Sequence, residues 1–237
     1  MNDFRSEYRD FDSAKEKIFM TVVNSQKNSD SLSVVPHRDV EDLSVIYKVM
    51  VDGDEGEIES FTIDNDLMNT WGITSEELDK VAVENTRKIL PITVDPIEDL
   101  IPVQAFGGDP SEYTVIYVIS NSNKVLGAAN MLYGDVLSDV SDRLGSNLYI
   151  LPSSIHEVLA ISSDSIPDPK ELADMVKTIN ETTVLPNDQL SDHVYSFDAR
   201  TKKLSLADTS IEEIRNDSMS KESEPEIVNN NFRRFHR

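Results

Sequence analysis

Ser153, Ser154, His156 and Glu157 crowd into NLYILPSSIHEVLAI, Asn147 to Ile161, and bring hydroxyl, imidazole and carboxylate groups into one short segment. A serine nucleophile needs a base within hydrogen-bond reach and donors for a developing oxyanion. Ser154 and His156 are two apart, so they share a face if a strand begins at Ser154. No GxSxG elbow surrounds either serine. The competing role is structural: the serines satisfy turn amides and His156 is hydrogen-bonded at the edge of the core. Asp192 and His193 complete the catalytic candidates, which are Ser154, His156, Glu157, Asp192 and His193.

Metal chemistry is the second possibility. His37, His156 and His193 each lie beside an acid, namely Asp39, Glu157 and Asp192. Three converging imidazoles could hold zinc, with carboxylates as ligands or as partners of the rings. No pair has HExxH or HxH spacing, so only the fold could bring them together. The acidic stretch DGDEGE, Asp52 to Glu57, has Ile63 where an EF-hand loop needs its twelfth-position glutamate, so it reads as a hairpin turn. GAANMLYG, Gly127 to Gly134, lacks the GK[ST] ending of a phosphate loop. FGGDP, Phe106 to Pro110, is likewise a turn. No cofactor is expected. With no cysteine in the chain, thiolate catalysis, disulfides and Cys-ligated zinc are excluded.

The elements that must position these residues read as α+β, an antiparallel or mixed sheet with helices on one face. The spacing predicts an amphipathic helix from Phe4 to Val23, within an N-terminal segment 1–30. A single domain follows over 31–208, and a flexible polar tail over 209–237. Residues 43–51 and 58–63 read as a hairpin. Thr74 with Glu77 forms a capping box that opens a helix to about Lys88. Pro91, Pro96 and Pro102 mark an irregular connection. The second half reads strand 114–119, helix ending at Gly145, strands 147–151 and 155–161, helix from Asp168-Pro169 to about Asn180, strand 193–198 and an added strand 203–206. This β-α-β-β-α-β order is that of ferredoxin-like units. Leu172, Met175, Val176 and Ile179 would form the inner stripe of the last helix.

Several phrases occur in an order that resembles an uncharacterised bacterial family, domain of unknown function 5688, of gut-type Gram-positive bacteria and their mobile elements. They are VPHRDVEDLSVIYKV (Val35 to Val49), WGITSEELDKVAVENT (Trp71 to Thr86), GAANMLY (Gly127 to Tyr133), LGSNLYILPSSIHEVLAI (Leu144 to Ile161) and LSDHVYSFD (Leu190 to Asp198). LPSSIHEV and LSDHVY are the most specific. The resemblance implies one conserved type of domain and supplies no catalytic residues.

Charge narrows the function further. The net charge is −22, of which residues 41–208 carry −20. Such a field repels nucleic acid and anionic membrane and suits a basic partner. No apolar run reaches the roughly 20 residues of a membrane helix, and no signal peptide is read at the start. A cytoplasmic location is expected. The expected function is non-enzymatic binding of another protein, which its charge would make basic. Two alternatives stand beside it: a hydrolase or metal-dependent enzyme built on the histidine and glutamate candidates, and an acidic nucleic-acid mimic that inhibits a basic partner. The end of the chain, FRRFHR (Phe232 to Arg237), is basic and aromatic and could dock on an acidic surface, its own domain included.

Overall fold

A computed structural model describes residues 7–51, 59–101, 114–152, 154–165 and 168–207. The turn 52–57, Ser153, FGGDP, the first six residues and the tail 209–237 lie outside the described residues. The chain is α+β, with two antiparallel sheets.

The N-terminal half builds the first sheet. A short helix α1 (Phe11–Ala14) and a 3-10 turn (Lys15–Lys17) lead into β1 (Ile18–Asn24). This corrects the predicted helix Phe4–Val23, whose second half is a strand. Ile18 to Val22 are all buried. A run buried at every position has no period to distinguish strand from helix, and its β-branched content favours the strand. After α2 (Ser29–Leu32) come β2 (His37–Val40), β3 (Leu43–Val51) and β4 (Glu59–Thr62). β3 pairs with β1, β2 and β4. The expected hairpin is therefore present as β3 and β4. Then follow α3 (Asn65–Trp71) and α4 (Ser75–Ile89), the latter with the predicted Thr74–Glu77 capping box.

The proline-marked connection contains an element the sequence did not suggest. Ile92–Pro96 forms β5, the edge strand of the second sheet, and Ile97–Leu100 forms a short α5. The rest of that sheet is β6 (Ile116–Asn121), β7 (Leu148–Leu151), β8 (Val158–Ser162), β9 (Tyr195–Asp198) and β10 (Lys203–Leu206). A buried 3-10 segment (Gly127–Leu132) and α6 (Gly134–Leu144) join β6 to β7, and α7 (Pro169–Thr182) joins β8 to β9. Gly145 caps α6 in the left-handed region, as its position after the last turn predicts.

The order of elements is the predicted one, but the strands pair β10-β9-β7-β8-β6-β5. A ferredoxin-like sheet would place β9 beside β6. That edge is taken by β5, and β9 lies beside β7. Both β-α-β crossovers then step the same way across the sheet while their strands run in opposite directions. Right-handed crossovers of that kind put their helices on opposite faces. The packing agrees. Leu137 and Val140 of α6 join Leu148, Ile150, Val158 and Ala160 in the main core. Leu172 and Val176 of α7 join the alternate residues Leu151 and Ile161 in a second cluster. The expectation of helices on one face is corrected accordingly. The main core is shared by both sheets, and the 3-10 segment wedges between β1 of one and β6 and β8 of the other.

Candidate functional site

β8 begins at Val158, so His156 and Glu157 sit in the loop before it and not inside the strand as the sequence suggested. That loop is fastened to the 3-10 wedge. Gly127 N–H and Ser120 Oγ both donate to the His156 carbonyl, at 2.9 and 2.8 Å, and Ala128 N–H donates to the Ile155 carbonyl at 3.2 Å. Ile155 N–H donates to the Asp188 carbonyl at 2.8 Å. A Cβ on Gly127 would stand 2.6 Å from the His156 carbonyl and 2.6 Å from Ser120 Oγ, so the approach demands glycine.

The His156 ring takes part in the same fastening. Its Nδ1 accepts the Leu126 N–H at 3.3 Å, and its Nε2 faces Asp188 Oδ1 at 3.6 Å. An Nδ1 that accepts leaves the proton of the neutral ring on Nε2, toward the carboxylate. Leu126 reaches the ring from a left-handed backbone, φ 57°. Ser154 Oγ accepts the His156 backbone N–H at 3.1 Å, closing a turn. Ser154 and Glu157 are thus not the partners of the ring. Chemically, the arrangement holds a loop, and among the described residues the Ser154 hydroxyl is engaged by the His156 backbone N–H and not by the ring.

Asp192 and His193 lie in a second polar group. Asp192 Oδ1 accepts from Asn180 Nδ2 at 2.8 Å, and the same nitrogen donates to the Ser191 carbonyl at 2.9 Å. His193 N–H donates to Ser191 Oγ at 3.0 Å. Ser191 Oγ in turn donates to Asp42 Oδ2 at 2.6 Å, and Tyr195 OH donates to Asp42 Oδ1. Burial, then the Asp42 carboxylate, push the Tyr195 phenol well above its ordinary range. This seam ties the β2–β3 turn of the first sheet to the segment before β9 of the second. Sequence reading did not suggest the pairing of Asp42 with Tyr195, which lie 153 residues apart. The YSFD alternation that buries Tyr195 was the only available signal. A like pair joins Tyr47 OH to Asp79 Oδ1 at 2.9 Å, with Arg38 Nε on the same oxygen at 3.1 Å. Burial is again the main cause of that phenol's raised pKa, with Asp79 adding to it.

His37 stands apart from both groups. It is exposed on β2, with Nδ1 3.0 Å from the Val35 carbonyl and Nε2 4.0 Å from Asp39. Among the described residues no group of three or more histidines and acids is arranged to hold a metal ion. The partners differ: the Val35 carbonyl for the His37 ring, the Leu126 N–H for the His156 ring, and Ser191 Oγ for the His193 backbone N–H.

Apolar side chains are exposed elsewhere. On α7, Met175 and Ile179 are 55% and 40% exposed, and Leu185 just beyond the helix is 69% exposed. This corrects the predicted inner stripe: Leu172, Val176 and Asn180 face inward instead. Asn180 is fixed by its two hydrogen bonds, and that turns Met175 and Ile179 away from the sheet.

A family model described as a family of unknown function (DUF5688) matches residues 2–199, and the chain belongs to that family. No curated protein and no solved structure matches the chain. The match includes β1 and ends before β10. Among the described residues, no helix is long and apolar enough to cross a membrane.

Proposed function

We propose that the chain is a non-enzymatic cytoplasmic module that binds another protein through the outer side of α7. The observation that carries this reading is the exposure of Met175 and Ile179 on successive turns, continued by Leu185. Exposed single apolar residues are ordinary, but adjacent ones on a rigid helix can form the anchor of an interface. Asp168, Glu171, Asp174 and Glu181 stand exposed around them, against Lys170 and Lys177. The partner of matching chemistry is an apolar segment flanked by lysine or arginine. The catalytic candidates support the reading indirectly, because Ser154, His156 and Asp192 are occupied in holding loops together.

The test compares capture by the wild-type chain with capture by a Met175→Glu, Ile179→Glu variant. Both positions are exposed, so folding stability should move by less than about 0.5 kcal/mol per site. One basic protein held by the wild type and lost by the variant supports the proposal. Equal capture by both sinks it. So does stoichiometric zinc in elemental analysis together with an activity lost in His156→Ala.

A further inference from the structure

We infer that the segment Phe232–Arg237 of this same chain occupies the outer side of α7 and competes with the partner for it. The inference rests on the binding face proposed above and names the regulation of that face.

Three observations point the same way. The first is chain continuity: Ala207, the last described residue, packs against the cluster of Leu151, Ile161, Leu172, Val176 and Val194 that seats α7. The described chain therefore ends against the cluster that seats this helix. The second is reach. Residues 208–231 separate Ala207 from Phe232, and a linker of that length spans roughly 25–30 Å. α7 has 14 residues and is about 21 Å long, so all of it lies within reach. The third is chemistry. FRRFHR offers Phe232 and Phe235 as apolar anchors and Arg233, Arg234 and Arg237 as cations. The helix offers Met175 and Ile179, and the segment just beyond it Leu185, among exposed carboxylates. In a chain of net charge −22, this short cationic segment has acidic surface to meet. A linker of this length gives an effective concentration in the millimolar range, so even a weak contact is populated.

The experiment uses the full chain, labelled at methionine methyl groups for NMR. The Met175 signal is assigned with Met175→Leu. A second full chain carries Phe232→Ser, Arg233→Glu, Arg234→Glu and Phe235→Ser. The expected result is a different Met175 shift in the substituted chain, and a wild-type shift that moves toward it as salt rises and screens the contact. A synthetic peptide of residues 229–237 should bind the substituted chain roughly tenfold more tightly than the wild type, because the internal competitor is gone. Identical Met175 shifts in the two chains overturn the inference. A shift that grows with protein concentration assigns the segment to a neighbouring copy and also overturns it. Loss of partner capture in Met175→Glu, Ile179→Glu with identical Met175 shifts would leave the binding face standing and remove only the competitor. Altered shifts with no partner captured would do the reverse.

Discussion

Gly127→Ala is the sharpest test of how this domain is held together. The Cβ would meet the His156 carbonyl and Ser120 Oγ at 2.6 Å each and Asn121 N at 2.9 Å, all well inside ordinary contact. Two of these three atoms are backbone and cannot swing aside. The 3-10 wedge must then withdraw from the His156 loop. That strains the Gly127 and Ser120 bonds to the His156 carbonyl and the Ala128 bond to the Ile155 carbonyl. Each is worth about 1 kcal/mol, more where a buried group is left unpaired. A total of about 3–5 kcal/mol follows, a severe loss for a single substitution. For a domain of this size that lowers Tm by about 10 °C. Urea titration followed by circular dichroism gives the free energy, and thermal melting gives Tm. Gly134→Ala is the control. Gly134 opens α6, and a Cβ there would have no atom within 4 Å. Alanine at that position should be neutral or stabilising by about 0.5 kcal/mol. A Gly127→Ala protein within about 1 kcal/mol of the wild type would refute the account of the wedge, since it would show that the loop retreats at little cost.

Other outcomes follow from the same structure. His156→Ala should cost about 1–2 kcal/mol in urea titration, and His156→Asn, whose amide oxygen can take the place of Nδ1 as acceptor, should recover part of it; equal losses would show that the Leu126 bond is immaterial. Asp42→Asn should cost about 2 kcal/mol, as it weakens acceptors for both Ser191 and Tyr195. The Tyr195 and Tyr47 phenols are raised in the folded state, so their contribution is fully present below the unfolded value near 10 and is lost as pH rises above it. Stability should thus fall on the alkaline side, and a Tyr47→Phe, Tyr195→Phe double variant should show a shallower fall. Asp135 is held low first by Arg87, so its contribution is present above the ordinary carboxylate value and is lost as pH falls through its lowered one; Asp135→Asn should flatten the acid limb by less than about 1 kcal/mol, because the pair is largely exposed.

Elements with local punctuation were legible in the sequence. Thr74 and Glu77 announced α4, Asp168-Pro169 announced α7 and Gly145 announced the end of α6. β1 was not, because burial on both sides erased the alternation that identifies a strand. β5 was hidden by flanking prolines, yet Pro96 is tolerated where an edge strand ends. The site residues divide in the same way. Ser154 with His156, and Asp192 with His193, were named because each pair sits close in sequence, and in the structure they bond to the turns and loops around them. Asp42 and Tyr195 meet only through the packing of the two sheets, which no local pattern encodes.

The strand order determines which face α7 covers and which of its side chains stay exposed. With β9 beside β7, α7 covers a face of the second sheet that the main core does not use. Its inner side is set by a polar residue. Asn180 is 1% exposed and must keep its bonds to Ser191 and Asp192, because an amide buried without partners would cost more than an exposed methionine. The helix therefore rotates so that Leu172, Val176 and Asn180 face the sheet. Met175 and Ile179, which hydropathy alone would bury, come to the surface with Leu185 beyond them. The buried hydrogen bonds of the Ser191–Asp192 turn thus decide which apolar side chains α7 exposes.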